Sequence, residues 1–282
     1  MLAHTGRPLA RHDLWTAWNT DVLLLGGLVL AAWAYRRGVR SRCRPPGRAD
    51  AWRDRCFAAA MVVLGVALVS PLDALSGALA SAHMVQHVLL VVVAAPLLAL
   101  SAPFPTLLRG SPAVVRDASV RWRRRFRLTR ANLRPLRNPV TVWLVHVGTL
   151  WFWHASVPYD AAVERHAVHV VEHASFLVTG VLFWRVVIGA RRADRVSRGL
   201  GVLMVFAMGL QSVFLSALVT FARSPWYSAY AGSTEAWGLE PLADQQLAGV
   251  IMWIPAGLVY VGAGLGLLVA WIRASERQEQ PA

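Results

Sequence analysis

Long runs of apolar residues, separated by short polar connections, dominate this chain. Each run approaches the length of about 20 residues that an α-helix needs to cross the hydrocarbon core of a bilayer. The pattern predicts an all-α polytopic membrane protein, built as a bundle of transmembrane helices. The seven predicted spans are residues 16–35, 56–72, 79–101, 139–157, 166–189, 199–222 and 244–272.

Arginine is concentrated in alternate connections between these spans. The chain has no Lys, so its 29 basic residues are all Arg. Cytoplasmic loops of membrane proteins are enriched in basic residues, which predicts an outside N-terminus and a cytoplasmic C-terminus and explains the charge without a nucleic-acid partner. The predicted parts are an extracytoplasmic tail (1–15), a transmembrane domain (16–272) with Arg-rich cytoplasmic loops (36–55, 102–138, 190–198), and a cytoplasmic tail (273–282).

Histidine is concentrated in the outer half of the predicted bundle. His83 and His87 are four residues apart on the third span, and His169 and His173 are four apart on the fifth, so each pair shares one helix face. His154 ends the fourth span at a similar depth. Polar side chains inside a membrane are costly and usually mark function. The clustering of these five residues on three spans favours a metal site.

Four other polar residues near this depth receive less specific interpretations. His146 lies deeper and alone on its span, so a hydrogen-bonded structural role is expected. His166, beside a connecting loop, is left open between a structural role and a ligand. Glu172 and Asp244 are expected to accept hydrogen bonds from imidazole N–H groups, which would fix the tautomer of a ligand.

The residue types restrict the choice of metal. Imidazole suits both copper and zinc, while a Met thioether shifts the preference towards Cu(I). Ligation by His without a Cys pair, with Met84 nearby and on the oxidising outer side, favours copper as Cu(I) or Cu(II). Zinc stays open, because three His with a Glu or Asp also form hydrolytic sites.

Several ordered motifs resemble the CtaG-type, or caa3-type, cytochrome c oxidase assembly factors. They are SPLDALSGALASAHMVQHVLL (70–90), APLLALSAP (95–103), WH followed by YDAAV, HVVEHASFL (169–177) and DQQLAGVIMWIP (244–255). The resemblance covers most of residues 56–272. It implies a multi-pass protein of the bacterial cytoplasmic membrane that helps to assemble a haem-copper oxidase by supplying copper. The metal-site positions carried over from these motifs are His83, His87, His154, His169, Glu172, His173 and Asp244.

The favoured function is therefore a copper-handling assembly factor that is not an enzyme. Its expected partners are the catalytic subunit of a haem-copper oxidase, an extracytoplasmic copper chaperone, membrane lipid and a second copy in a homodimer. The alternative is an intramembrane zinc-dependent hydrolase with a His/Glu/Asp site, in which Glu172 or Asp244 acts as general base. A third function, bis-His haem binding, requires ligands from two facing helices, because His83 and His87 share one helix.

Overall fold

Helices form the regular structure of the chain throughout the part described. The computed structural model describes residues 12–127, 135, 138–190 and 195–279, and no strand occurs in these ranges. The α-helices are α1 (Val22–Arg40), α2 (Arg48–Leu68), α3 (Pro71–Ser76), α4 (Ala80–Val88), α5 (Ala95–Ser101), α6 (Phe104–Gly110), α7 (Ala113–Arg125), α8 (Pro139–His154), α9 (Ser156–Glu164), α10 (His166–Ile188), α11 (Arg198–Thr220) and α12 (Pro241–Glu279). The prediction of an all-helical protein is confirmed.

Within the described ranges, five helical segments are long and apolar enough to cross a membrane. They are Val22–Arg40, Ala80–Ser101, His166–Ile188, Arg198–Thr220 and Pro241–Glu276. The two other predicted spans coincide with α2, which carries charged residues in its first turns, and with α8, which has 16 residues. The count of seven spans, the orientation and the division into tails and loops stay predictions.

Helix α1 begins at Val22, later than predicted, because Asp21 caps it. One Asp21 carboxylate oxygen accepts hydrogen bonds from Leu23 N (2.8 Å) and Leu24 N (3.1 Å). These N–H groups have no partner inside the helix, so an acceptor here determines where the helix starts. The same two bonds lower the pKa of the Asp21 carboxyl.

The third predicted span is one continuous helix with a wider turn in its middle. A π-helical segment, Leu89–Ala94, joins α4 to α5, and Pro96 lies in the first turn of α5. Proline has no N–H to donate, so carbonyl oxygens in the preceding turns need other donors. Trp184 of α10 supplies one, since its Nε1 donates to Val91 O at 2.9 Å. This bond holds the π-helical segment against α10.

Helix α10 lies at the centre of the described structure. It packs against α5, α8 and α9 and buries Phe176, Phe183 and Trp184, each no more than 1% exposed. Helix α12 packs along both α11 and α4. As a result, the first turns of α4 and α10 and the last turn of α8 meet at one end of the bundle.

Candidate metal centre

The start of α4 is held by a carboxylate from α12. Asp244 accepts hydrogen bonds from Ala80 N (2.6 Å), Ser81 N (3.3 Å) and Ser81 Oγ (2.5 Å), and these bonds engage both of its carboxylate oxygens. The first N–H groups of a helix lack internal partners and attract negative charge. Asp244 was expected beside an imidazole, but its hydrogen bonds go to α4 instead. It supports the site by fixing the helix that carries His83 and His87.

Helices α4 and α10 bring four of the predicted ligands together. His83 from α4 and His169, Glu172 and His173 from α10 each offer one ligand atom, and these atoms all lie within 4.8 Å of one another. The ring centroids of His83 and His169 are 5.1 Å apart, and those of His169 and His173 are 4.0 Å apart. Three of these residues are buried, and His169 is partly exposed.

Glu172 lies between the two His residues of α4. Its Oε2 is 3.2 Å from His83 Nε2, and its Oε1 is 3.5 Å from His87 Nε2. The side chain is fully buried. A buried carboxylate is stable only when charge or hydrogen bonds compensate it, so Glu172 needs a proton on a neighbouring imidazole or a cation beside it.

His154, from the last turn of α8, completes the group. Its Nδ1 is 2.7 Å from Leu150 O, and a carbonyl only accepts, so Nδ1 carries the proton. Nε2 therefore carries a lone pair, and this atom is buried without a hydrogen-bond partner. The His154 ring lies 5.7 Å from the His87 ring and 6.0 Å from Phe176. His83, His87, His154, His169, Glu172 and His173, six of the seven predicted positions, therefore converge.

The two remaining His of the predicted bundle lie apart from this group. His166 is exposed and pairs with Asp21 (Nε2 to Oδ2, 3.2 Å) at the start of α1. His146 is buried two turns deeper, where its Nδ1 meets Thr179 Oγ1 at 2.9 Å. The hydrogen-bonded role expected for His146 agrees with this contact.

Tyr230 fixes the tautomer of His83, and the sequence analysis did not find it. Burial raises the pKa of the Tyr230 phenol, so the phenol keeps its proton and donates it to Ser76 O at 2.8 Å. The Tyr230 oxygen then accepts from His83 Nδ1 at 3.1 Å. With Nδ1 donating to Tyr230, Nε2 is the nitrogen that faces Glu172 Oε2 at 3.2 Å. Because a carboxylate only accepts, a second proton on the ring or a metal cation is needed between these two atoms. Tyr230 lies in the connection between α11 and α12, where no helical repeat in the sequence indicates which side chains face the cluster.

A second tyrosine, Tyr159, closes the same side of the cluster. It is fully buried, its ring lies 5.1 Å from His83, and it stacks on Tyr227 at 3.7 Å. Tyr227 in turn donates from its hydroxyl to His154 O at 3.2 Å. Tyr159 belongs to the YDAAV motif, and that motif could have identified it as a residue of the site.

Comparison with known proteins identifies the family. Residues 7–274 match the family described as cytochrome c oxidase caa3 assembly factor (Caa3_CtaG). The chain belongs to this family of oxidase assembly factors. The family expected from the motifs is confirmed, and the match extends beyond the residues that carried the resemblance.

Relatives of this chain occur in mycobacteria. Uncharacterized proteins of Mycobacterium bovis and Mycobacterium tuberculosis are each 28% identical over 278 residues, and one of Mycobacterium leprae is 26% identical over 277 residues. Each alignment covers 93% of this chain and 40% of the relative, so the chain spans about two-fifths of their length. No solved structure matches.

The ligand atoms of the cluster fit a metal cation. In the described part of the chain, several buried imidazole nitrogens of the cluster have no hydrogen-bond partner. These atoms are His87 Nδ1, His87 Nε2, His154 Nε2, His169 Nε2 and His173 Nε2. Buried polar atoms without partners are rare and costly, and they need an explanation such as a bound ion. A cation that accepts imidazole and carboxylate donors would satisfy them together.

Proposed function

We propose that this assembly factor binds copper at the His/Glu cluster and supplies it to the haem-copper centre of cytochrome c oxidase. The observation that carries the proposal is the convergence of unpaired, buried imidazole nitrogens from α4, α8 and α10 on the single carboxylate of Glu172. The family's role in oxidase assembly gives the copper a destination. The role is one of binding and transfer, without catalysis.

Charge and ligand type favour Cu(I) over zinc. Glu172 is the one carboxylate among the converging residues, so Cu(I) leaves the buried cluster neutral, whereas Zn²⁺ leaves an uncompensated positive charge. Imidazole is a good ligand for copper, and Met84 and Met252 pack beside Tyr159 and Tyr230 next to the cluster.

A zinc-dependent hydrolase is less well supported. Its general base needs a carboxylate free to take a proton from water. Both Glu172 oxygens face imidazoles within 3.5 Å, and Asp244 is engaged by the start of α4. Neither acidic residue is available for that role without rearrangement.

The proposal places the cluster near the outer surface of the bacterial cytoplasmic membrane. In this arrangement seven helices span the membrane, the N-terminus is outside and the Arg-rich loops are cytoplasmic. An extracytoplasmic chaperone would deliver copper from that side, where His169 is partly exposed. The catalytic subunit of the oxidase would then receive it laterally within the bilayer, beside one copy of this protein or a homodimer.

Metal analysis of the purified chain tests the copper proposal. The variant combines His83→Ala, His87→Ala and Glu172→Gln, and the control is His146→Ala, an equally buried His of α8 outside the cluster. We expect about one copper per chain in the wild type and in the control, and none in the triple variant. Only copper-binding forms should restore oxidase activity to a bacterium that lacks its own family member.

Three results would contradict this function. Zinc at that stoichiometry, accompanied by amide or ester hydrolysis, would indicate the hydrolase. A Soret band in the purified protein would indicate haem binding. Absence of metal from copper-supplemented protein would leave an assembly role that does not involve holding copper.

A native cysteine tests the proposed orientation. Cys43 is exposed in the connection between α1 and α2, whereas Cys56 is buried. We expect a membrane-impermeant maleimide to label Cys43 in permeabilised cells but not in intact cells, because that connection is proposed to be cytoplasmic. Cys43→Ser is the control that should abolish labelling, and labelling of intact cells would reverse the topology.

A further inference from the structure

The converging ligands form two overlapping groups that share Glu172. The groups are in contact, since the ring centroids of His83 and His87 are 4.3 Å apart and those of His87 and His173 are 5.5 Å apart. The outer group is His83, His169 and His173, whose ligand atoms lie with that of Glu172 within 4.8 Å. The inner group is His87 and His154, whose rings are 5.7 Å apart and inclined at 70°. His87 follows His83 by one helical turn, so the second group lies deeper along α4.

The inner group has its own imidazole nitrogens that are free to bind a metal. His154 presents Nε2 because its Nδ1 donates to Leu150 O, and neither nitrogen of His87 has a hydrogen-bond partner. Phe176 lies against both rings, at 4.6 Å from His87 and 6.0 Å from His154. Two imidazole lone pairs beside an apolar ring suit Cu(I), a d¹⁰ ion that is stable with only two or three soft or borderline ligands.

The two groups share a single negative charge. Glu172 Oε2 faces His83 of the outer group at 3.2 Å, and Oε1 faces His87 of the inner group at 3.5 Å. One buried carboxylate compensates one Cu(I) ion, and a second ion at the same time would add an unpaired charge in a low-dielectric site. The geometry therefore favours alternate occupation over simultaneous occupation.

We propose that the cluster holds one Cu(I) ion that exchanges between two positions. The outer position is formed by His83, His169, His173 and Glu172, and the inner position by His87, His154 and Glu172. The ion keeps its oxidation state and changes only its imidazole ligands, while the carboxylate stays beside it. This inference rests on the proposed copper function and adds the route by which the ion moves inward.

Two double variants separate the positions. His169→Ala with His173→Ala empties most of the outer position, and His87→Ala with His154→Ala removes the inner one. The full chain is purified in detergent without oxygen and loaded with Cu(I) from an acetonitrile complex. Copper content is measured per chain, and X-ray absorption reports the number of imidazoles around the ion. His146→Ala is the matched control on α8.

Retention of copper in both double variants is the expected result. We expect about one Cu(I) per chain in the wild type and in each double variant, with affinity reduced about tenfold or more in each. The inner position should give an ion with two imidazoles, and the outer position one with three. Where an alanine variant does not fold, the corresponding Gln variant replaces it.

Other outcomes overturn the inference in distinguishable ways. Two coppers in the wild type and one in each variant would indicate independent, simultaneous sites. Loss of copper from either double variant would indicate that the ion occupies one position only, or one site that spans both groups. Each of these results leaves the proposed copper function intact, whereas a wild-type chain without copper would remove both proposals.

Discussion

Helix α8 contains two buried histidines in contrasting surroundings. His154 and His146 are both nearly inaccessible, at 2% and 0% exposure. Each has a partner at Nδ1, Leu150 O for His154 and Thr179 Oγ1 for His146, and each leaves Nε2 buried without a partner. Judged one residue at a time, the two are alike.

Their neighbours differ. His154 lies beside His87, whose Nε2 is 3.5 Å from the Glu172 carboxylate, whereas the ring stacked beside His146 is that of Phe183. An unpaired nitrogen among apolar groups is only a cost in stability, but several that converge on a carboxylate form a binding site. Convergence, rather than burial, separates the candidate site from the rest of the core.

The largest effect should come from removing the carboxylate. Glu172→Gln keeps the size of the side chain but takes away the charge that both His groups face. We expect Cu(I) affinity to fall about 100-fold, because the cation would then sit uncompensated in a buried site. Competition with a colourimetric Cu(I) chelator measures the change.

Thr179→Val is the matched control for that change. Thr179 lies on α10, the helix that carries Glu172, and its substitution removes the hydrogen-bond partner of His146 on α8 without touching the cluster. It should lower the free energy of unfolding by about 1–3 kcal/mol, because the His146 imidazole loses its hydrogen-bond partner. The Cu(I) affinity should stay unchanged. Equal losses of affinity in the two variants would mean that Glu172 acts through the fold rather than on the metal.

A smaller effect is expected from the tautomer of His83. Tyr230→Phe removes the oxygen that accepts from His83 Nδ1. The ring then loses its fixed orientation, so Cu(I) affinity should fall about tenfold. Tyr227→Phe is the control in the same loop, because that hydroxyl bonds to His154 O rather than to a ring nitrogen. Similar losses in both variants would assign the effect to loop packing.

The sequence could predict the ligands because their spacing is helical. Pairs four residues apart on α4 and α10 must share a face, so His83 and His87, and His169 and His173, were found by periodicity alone. His146 was separated from the cluster by its depth, since it lies two turns below His154 with no second His beside it on its helix.

Periodicity could not say which group a side chain reaches across the bundle. Asp244 shares a depth with the imidazoles, yet it bonds to the start of α4, whose free N–H groups compete for any nearby carboxylate. Tyr230 was missed for a similar reason. The position of Tyr230 depends on a loop conformation that side-chain contacts determine. A loop has no periodic sequence pattern from which that position could be predicted.

The smallest predicted effect concerns the contact that holds this loop. Asp160 of α9 accepts from Ser228 N (3.1 Å), Ser228 Oγ (2.5 Å) and Ala229 N (3.3 Å), next to Tyr230. Asp160→Asn retains one acceptor oxygen but loses the charge that strengthens these bonds. We expect faster hydrogen exchange in residues 226–233 and Cu(I) release faster by about threefold, since roughly 1 kcal/mol of loop stability is lost.

Glu164 is an exposed carboxylate on the same helix and serves as the control. Glu164→Gln should change neither the hydrogen exchange of the loop nor the rate of Cu(I) release. Faster loop exchange in Asp160→Asn without faster Cu(I) release would show that opening of this loop does not limit release of the ion. The partly exposed edge at His169 would then be the exit, because it is the one member of the four-residue outer group that reaches the surface. In that case the tyrosine loop would serve only to hold His83 in the tautomer that faces Glu172.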